Sequence, residues 1–200
     1  MNSSTRAILF FGPQGAGKGT QKQNIANWLS KTTNRSVLQI ELGDFFRTMM
    51  KTGGRTQDLV KEVQNQGKLQ PDFLAVYAVV EKLISSYSGE EHLILDGFPR
   101  NDIQVQIFQQ LVEFYGLTVD VVSLELSEEE SIKRLLARGR DDDNEAAITE
   151  RLSVYQAETK PLLSHFESAG QYAVHRIDGK RTIEEVTESV IASLTNAHRD

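Results

Sequence analysis

Hydrophobic and polar positions alternate between two patterns along the chain. Short, largely apolar runs at 7–11, 36–40, 92–95, 119–126 and 172–177 have the length of buried strands. Between them apolar positions recur at helical spacing; in 20–31, Ile25, Trp28 and Leu29 share one face. The same reading predicts helices over 44–51, 57–66, 73–87, 102–115, 145–168 and 182–194. Local signals punctuate them. Pro71 stands just ahead of helix 73–87, and Gly116 ends helix 102–115. Ser127 followed by Glu130 predicts a capping box for a helix running to Ala137, and Pro161 predicts a bend in the long helix 145–168. Strands joined in succession by helices imply an α/β fold: a doubly wound, five-stranded parallel sheet flanked by helices. No repeat, low-complexity tract or linker-like cluster interrupts it, so residues 1–200 read as a single domain.

Composition narrows the function classes. Lys and Arg total 22 against 28 Asp and Glu, a net charge of −6, which argues against a general nucleic-acid or membrane-surface binder. There are no cysteines, which excludes a disulfide framework, a thiol nucleophile and a Cys-ligated zinc or iron–sulfur site. The apolar run 7–11 is too short for a signal peptide or a membrane span. The expectation is a cytoplasmic protein with no membrane or nucleic-acid partner. His92, His165, His175 and His198 have no metal-ligand spacing.

The chemistry is concentrated after the first strand, where Gly12-Pro13-Gln14-Gly15-Ala16-Gly17-Lys18-Gly19-Thr20 runs directly into a helix. This is G-x-x-x-x-G-K in its strand–loop–helix setting, and four glycines in eight residues are far more than a tight turn requires. Small residues let backbone N–H groups turn in around a phosphate, the helix N-terminus adds positive character, and Lys18 supplies a point charge. The hydroxyl that usually follows the lysine is displaced by one, to Thr20. The motif implies nucleoside triphosphate binding without specifying the reaction.

From Gly15 to Thr20 the sequence resembles the adenylate kinase branch of the nucleoside monophosphate kinases, which carry G-K-G-T. Three more segments are similar in the same order. Leu42-Gly43-Asp44-Phe45-Phe46-Arg47 resembles the family's T-G-D-L-L-R, Asp96-Gly97-Phe98-Pro99-Arg100 is identical to its D-G-F-P-R, and Arg140-Asp141-Asp142-Asp143-Asn144-Glu145 resembles its lid-hinge R-x-D-D-N-E. The resemblance runs from Ala7 to about Val186. It implies a P-loop NTPase-type fold and an ATP:nucleoside-monophosphate phosphotransferase, an adenylate kinase converting Mg·ATP and AMP to two ADP. The alternatives on the same chain are a pyrimidine (UMP/CMP) monophosphate kinase and a nucleotide-binding regulator with weak turnover.

The roles that follow are those the resemblance implies. Gly15, Ala16, Gly17, Lys18, Gly19 and Thr20 hold ATP, with Arg138 and, in the loop 179–181, Arg181. Leu42, Arg47, Lys68, Leu69, Gln70, Gly97, Phe98, Pro99, Arg100 and Gln104 form the AMP site, with Arg140 and Arg151 reaching it. Lys18, Arg47, Arg100, Arg138, Arg140 and Arg151 are the catalytic set; Arg134 is a further candidate. Electrostatics supports this, since two polyanions must be brought together and arginine grips phosphate oxygens in bidentate fashion. Asp96, at the end of an apolar strand, is expected to hold Mg2+ through water, and Asp142 and Asp143 to fix the lid arginines. Residues 42–71 form the monophosphate-binding helical segment and 134–145 a minimal lid, in which only Gly139 separates Arg138 from Arg140. Without cysteines that lid carries no zinc. Leu42 replaces the threonine expected beside the acceptor base, whereas Gln104, four residues after Arg100, offers the donor–acceptor pair that reads adenine. A monomer is expected.

Overall fold

A computed structural model describes residues 5–139 and 145–197. Five parallel strands, β1 (Arg6–Phe11), β2 (Val37–Glu41), β3 (His92–Asp96), β4 (Thr118–Glu125) and β5 (Ala173–Asp178), form one sheet in the order β2-β3-β1-β4-β5. The expected fold class is therefore the observed one. β1 is the central strand, and its side chains alternate between two cores as the pleat requires. Ala7, Leu9 and Phe11 enter one apolar cluster, and Ile8 and Phe10 enter the other.

The second cluster lies under α1 (Lys18–Thr33) and α9 (Ile183–Asn196), through Ile25, Leu29, Val190 and Leu194. The first is larger. It is covered by α2 (Leu42–Met49), α3 (Arg55–Asn65), α4 (Asp72–Ser86) and α5 (Asp102–Tyr115), followed later in the chain by α8 (Leu162–Ser168). Since β3 and β2 lie on one side of β1 and β4 and β5 on the other, the strand order reverses at β1. The crevice beyond its carboxyl end is where such sheets bind ligands.

Caps decide several boundaries. Asn101 Oδ1 accepts from Gln104 N at 3.0 Å and starts α5, and Gly116, in the left-handed conformation, ends it. Ser127 caps α6 (Glu128–Arg138) by accepting from Glu130 N, but the capping box predicted there is only half formed, because the Glu130 carboxylate turns to Arg134 instead. A full reciprocal box stands at Thr182 and Glu185, before α9.

The long helix expected over 145–168 is corrected. α7 (Glu145–Val154) passes into a π-helical turn, Tyr155–Thr159, and α8 begins only after Pro161. Proline has no N–H to donate and its ring crowds the carbonyl four residues back. The ladder slips there to a wider register, with Lys160 N donating to Tyr155 O at 2.8 Å. The turn faces the crevice, which becomes important below.

Candidate active site

The floor of the crevice is the loop between β1 and α1. Gly12 has φ +136°, and a Cβ on it would lie 2.6 Å from the Leu124 carbonyl oxygen on β4, so only glycine lets the chain leave the sheet here. The loop ends at Gly17, and α1 opens with Lys18. Lys18 Nζ donates to Gly12 O at 2.7 Å and Pro13 O at 2.9 Å, which folds the side chain back over the loop. Burial pulls its ammonium down to about 8; Asp96 opposes this, while Arg100, Lys22 and Arg138 add to it.

Asp96, the last residue of β3, lines the same floor. Its Oδ2 accepts from Lys22 Nζ at 2.6 Å, and the same Nζ lies 2.7 Å from Glu41 Oε2. Burial pushes the Asp96 carboxyl up, but Lys18, Lys22 and Arg100 outweigh it and hold the group below the ordinary carboxylate range. Asp96 is thus a carboxylate at neutral pH, with Oδ1 remaining as a second acceptor.

The wall on one side comes from α2, the chain after α3 and the start of α5. Arg47 ion-pairs with Asp44 three residues earlier, and that contact, chiefly, holds the Asp44 carboxyl below its usual value. Gly67, at φ +73°, brings Lys68, Leu69 and Gln70 to the cavity; a Cβ there would meet the Ala147 carbonyl oxygen of α7 at 2.8 Å. Gln70 Nε2 donates to Val60 O at 2.9 Å. Arg100 follows the β3 turn. Burial holds its guanidinium below the ordinary value, with Asp96 opposing and Arg151 adding, and it stays cationic throughout the physiological range. Its backbone is fixed twice: Arg100 N donates to Gln104 Oε1 at 2.9 Å, and Arg100 O accepts from Thr159 Oγ1 of the π turn at 3.1 Å.

The opposite wall comes from α6 and α7. Arg134 donates to Glu130 Oε1 and to Gly179 O, both at 3.0 Å, and so ties α6 to the loop after β5. Arg138 closes α6, and Arg151 Nε donates to Ala147 O at 3.1 Å. Both line the cavity, which has a volume of about 460 Å³ and falls in the range of ligand pockets.

Most of the residues expected to act together do meet there. Gly15, Gly17, Lys18, Gly19 and Thr20 line the cavity, as do Leu42, Arg47, Lys68, Leu69 and Gln70. So do Asp96, Gly97, Pro99, Arg100, Gln104, Arg138 and Arg151. Ala16 and Phe98 do not; they are 3% and 2% exposed and support the loops from the core. Arg181 lies outside the cavity, 4.0 Å from Asp178. Arg140, Asp142 and Asp143, with much of the minimal lid, fall outside the described residues. Gln104 is 1% exposed, and its amide is already engaged: Oε1 takes the Arg100 N–H, and Nε2 donates to Asp72 Oδ1 at 2.8 Å. An amide has two hydrogens and two lone pairs, so one donor and one acceptor remain.

Among the site residues missed in the sequence are Thr159, Lys22 and Glu41. Thr159 was hidden by the helix that the π turn interrupts. Lys22 and Glu41 carried a signal: Lys22 is one helical turn beyond Lys18, hence on the same face, and Glu41 directly precedes Leu42.

So many cations gathered beyond the carboxyl end of a parallel sheet, above a phosphate loop, place the chain among the nucleotide-binding proteins that transfer phosphoryl groups. Comparison with known proteins narrows that class. The adenylate kinase family model matches residues 10–171. Over 188 residues the chain is 41% identical to an adenylate kinase of Synechococcus sp. (strain RCC307), covering 94% of this chain and 97% of the relative. It is 34% identical over 194 residues to an adenylate kinase of Thermus thermophilus, with the same coverage. The chain belongs to the adenylate kinase family and is a phosphotransferase.

Proposed function

We propose that this chain catalyses Mg·ATP + AMP ⇌ 2 ADP, with the donor over the β1–α1 loop and the acceptor against α2, the 67–70 segment and Arg100. The observation that carries the reading is the convergence of Lys18, Arg47, Arg100, Arg138 and Arg151 on one cavity. An oxygen of the AMP phosphate attacks the γ-phosphorus of ATP, the bond to the β,γ-bridging oxygen breaks, and ADP leaves. No covalent enzyme intermediate is needed. What the protein must do is hold both nucleotides in line and neutralise the charge spread over the transferring group.

Lys18 takes the donor's β- and γ-phosphates, exchanging its two loop carbonyls for phosphate oxygens. Gly15 to Thr20 present backbone N–H groups and the α1 N-terminus. Arg47 and Arg100 grip the acceptor phosphate, while Arg138, Arg151 and the expected Arg140 approach the group in transit. Gln104 offers its remaining donor and acceptor to adenine, and Lys68, Leu69 and Gln70 shape the pocket around the base. Asp96 and the Thr20 hydroxyl suit Mg2+, a hard cation that takes one or two protein oxygens and otherwise water and phosphate. When bound, Mg2+ neutralises and orients the β- and γ-phosphate oxygens. The reading extends to a cytoplasmic monomer acting on free nucleotides, supported by the net charge of −6 and by the fact that no described helix is long and apolar enough to cross a membrane.

The alternative, a pyrimidine monophosphate kinase, is not favoured by the relatives, which are adenylate kinases, although Leu42 lines the acceptor wall and its side chain cannot hydrogen-bond a base. A coupled assay for ADP tests the primary reading. ATP and AMP with Mg2+ should yield two ADP, and ADP alone should yield ATP and AMP; no ADP from ATP and AMP would contradict it.

A further inference from the structure

Lys22 is the least expected charge in the molecule. It is 1% exposed, it sits beneath the phosphate loop on α1, and its Nζ is shared by two carboxylates, Asp96 at 2.6 Å and Glu41 at 2.7 Å. Their side chains are 20% and 30% exposed, so the trio lies at the cavity floor with its cation innermost. Fold stability does not explain it, since burying ion pairs is offset by desolvation and an apolar side chain can fill such space as well. Its consequence is electrostatic. One of the two Asp96 oxygens already holds a cation that cannot leave, at the carboxylate proposed to hold Mg2+ through water.

We propose that Lys22, tempered by Glu41, is a built-in cation of the phosphate site that sets how far ATP binding depends on Mg2+. The inference rests on the reading of Asp96 as the Mg2+-holding residue. With Lys22 in place the trio carries one net negative charge. Metal-free ATP, which is more negative than Mg·ATP, meets a floor already partly neutralised. Removing the Lys22 charge leaves two carboxylates there, which penalises metal-free ATP most and which Mg2+ relieves. Removing the Glu41 charge does the opposite. Lys22 acts through Asp96 and is a positioning residue; it is not itself part of the group that touches the reacting atoms.

The test is the Kd of ATP on the full chain, by titration calorimetry, with excess Mg2+ and with EDTA. The ratio of the EDTA value to the Mg2+ value is compared across variants. Lys22→Met should raise the ratio by at least about tenfold, the order expected for one unit charge a few ångströms from phosphate. Glu41→Gln, which keeps the acceptor oxygen but not the charge, should lower it. Lys22→Met with Glu41→Gln restores the net charge and should bring the ratio back toward wild type. A purely structural role would weaken binding equally with and without metal, and a ratio unchanged in both single variants overturns the proposal. Should Lys22→Met fail to fold, Glu41→Gln decides: a lower ratio supports the proposal, an equal or higher one overturns it. Asp96→Asn separates the two readings. If it leaves the ratio at the wild-type value, Mg2+ does not depend on Asp96 and the proposal falls with that reading. If it lowers the ratio while the Lys22 and Glu41 variants do not move it, only the proposal falls.

Discussion

Lys18 works against its own burial. An ammonium held at about 8 in the folded chain, against 10.5 for the free side chain, favours the neutral form. The sign for folding follows: the cost of keeping Lys18 charged is full below about pH 8 and is relieved as pH rises from there to 10.5. The sign for ligand binding is opposite. Phosphates favour the charged form, so binding above pH 8 must take up a proton, and ATP affinity should fall by up to about tenfold per pH unit. Calorimetry from pH 7 to 9.5 in buffers of differing ionisation enthalpy would show this; pH-independent affinity would mean that Lys18 does not meet phosphate. Arg100 stays charged throughout, so its contribution is read by mutation. Lys18→Ala and Arg100→Ala should each lower kcat by about 10²–10³ while leaving the circular dichroism unchanged, the usual consequence of removing one preorganised charge from a transition state. Retention of more than half of wild-type activity in either variant would remove that residue from its role.

Elements were legible where one signal dominates. Helix α5 was bounded correctly at both ends because Asn101 and Gly116 are strong caps and its apolar face is regular. Helices α1 and α2 each begin two residues earlier than the apolar pattern indicates, at Lys18 and Leu42, because the first turn of each faces the cavity and carries no core residues to mark it except Leu42. The helix over 145–168 was misread because periodicity survives a change of hydrogen-bond register, and Pro161 announces a bend without saying how the ladder absorbs it. That error concealed Thr159, whose hydroxyl holds the Arg100 carbonyl. At the lid, α6 ends on Gly139 in the left-handed conformation, and that residue alone separates Arg138 from Arg140. We expect so short a cover to exclude water poorly from a bound γ-phosphate. Without any monophosphate, the chain should hydrolyse ATP faster than a family member with a full lid does. Equal or slower hydrolysis would show that another element seals the site.

At the scale of the whole molecule, the sheet order places β1 between two halves, so the β1–α1 loop lies at the reversal point, between the cavity wall from α2 and α5 and the wall from α6 and α7. A five-stranded parallel sheet with a ligand crevice beyond its carboxyl ends was readable from alternating strands and helices and from four ordered motifs; the strand order was not. The arginines were readable as a set because they fall in or beside segments that resemble the family's motifs. Their second partners were not, since Thr159, which donates to the Arg100 carbonyl, and Gly179, whose carbonyl accepts from Arg134, reach the site from distant parts of the chain, as does Asp72, which braces Gln104. In the proposed function, substrate choice rests on two residues of the same wall with opposing tendencies, apolar Leu42 and the braced amide of Gln104. The central claim is therefore tested most directly by initial rates with Mg·ATP against AMP, CMP, UMP, GMP and dTMP, in wild type and in Gln104→Leu. AMP should show the highest kcat/KM in the wild type, by about 5–150-fold over the pyrimidine monophosphates, with most of that margin lost in Gln104→Leu. UMP or CMP equalling AMP in the wild type, or an AMP preference that survives the substitution unchanged, would contradict the account.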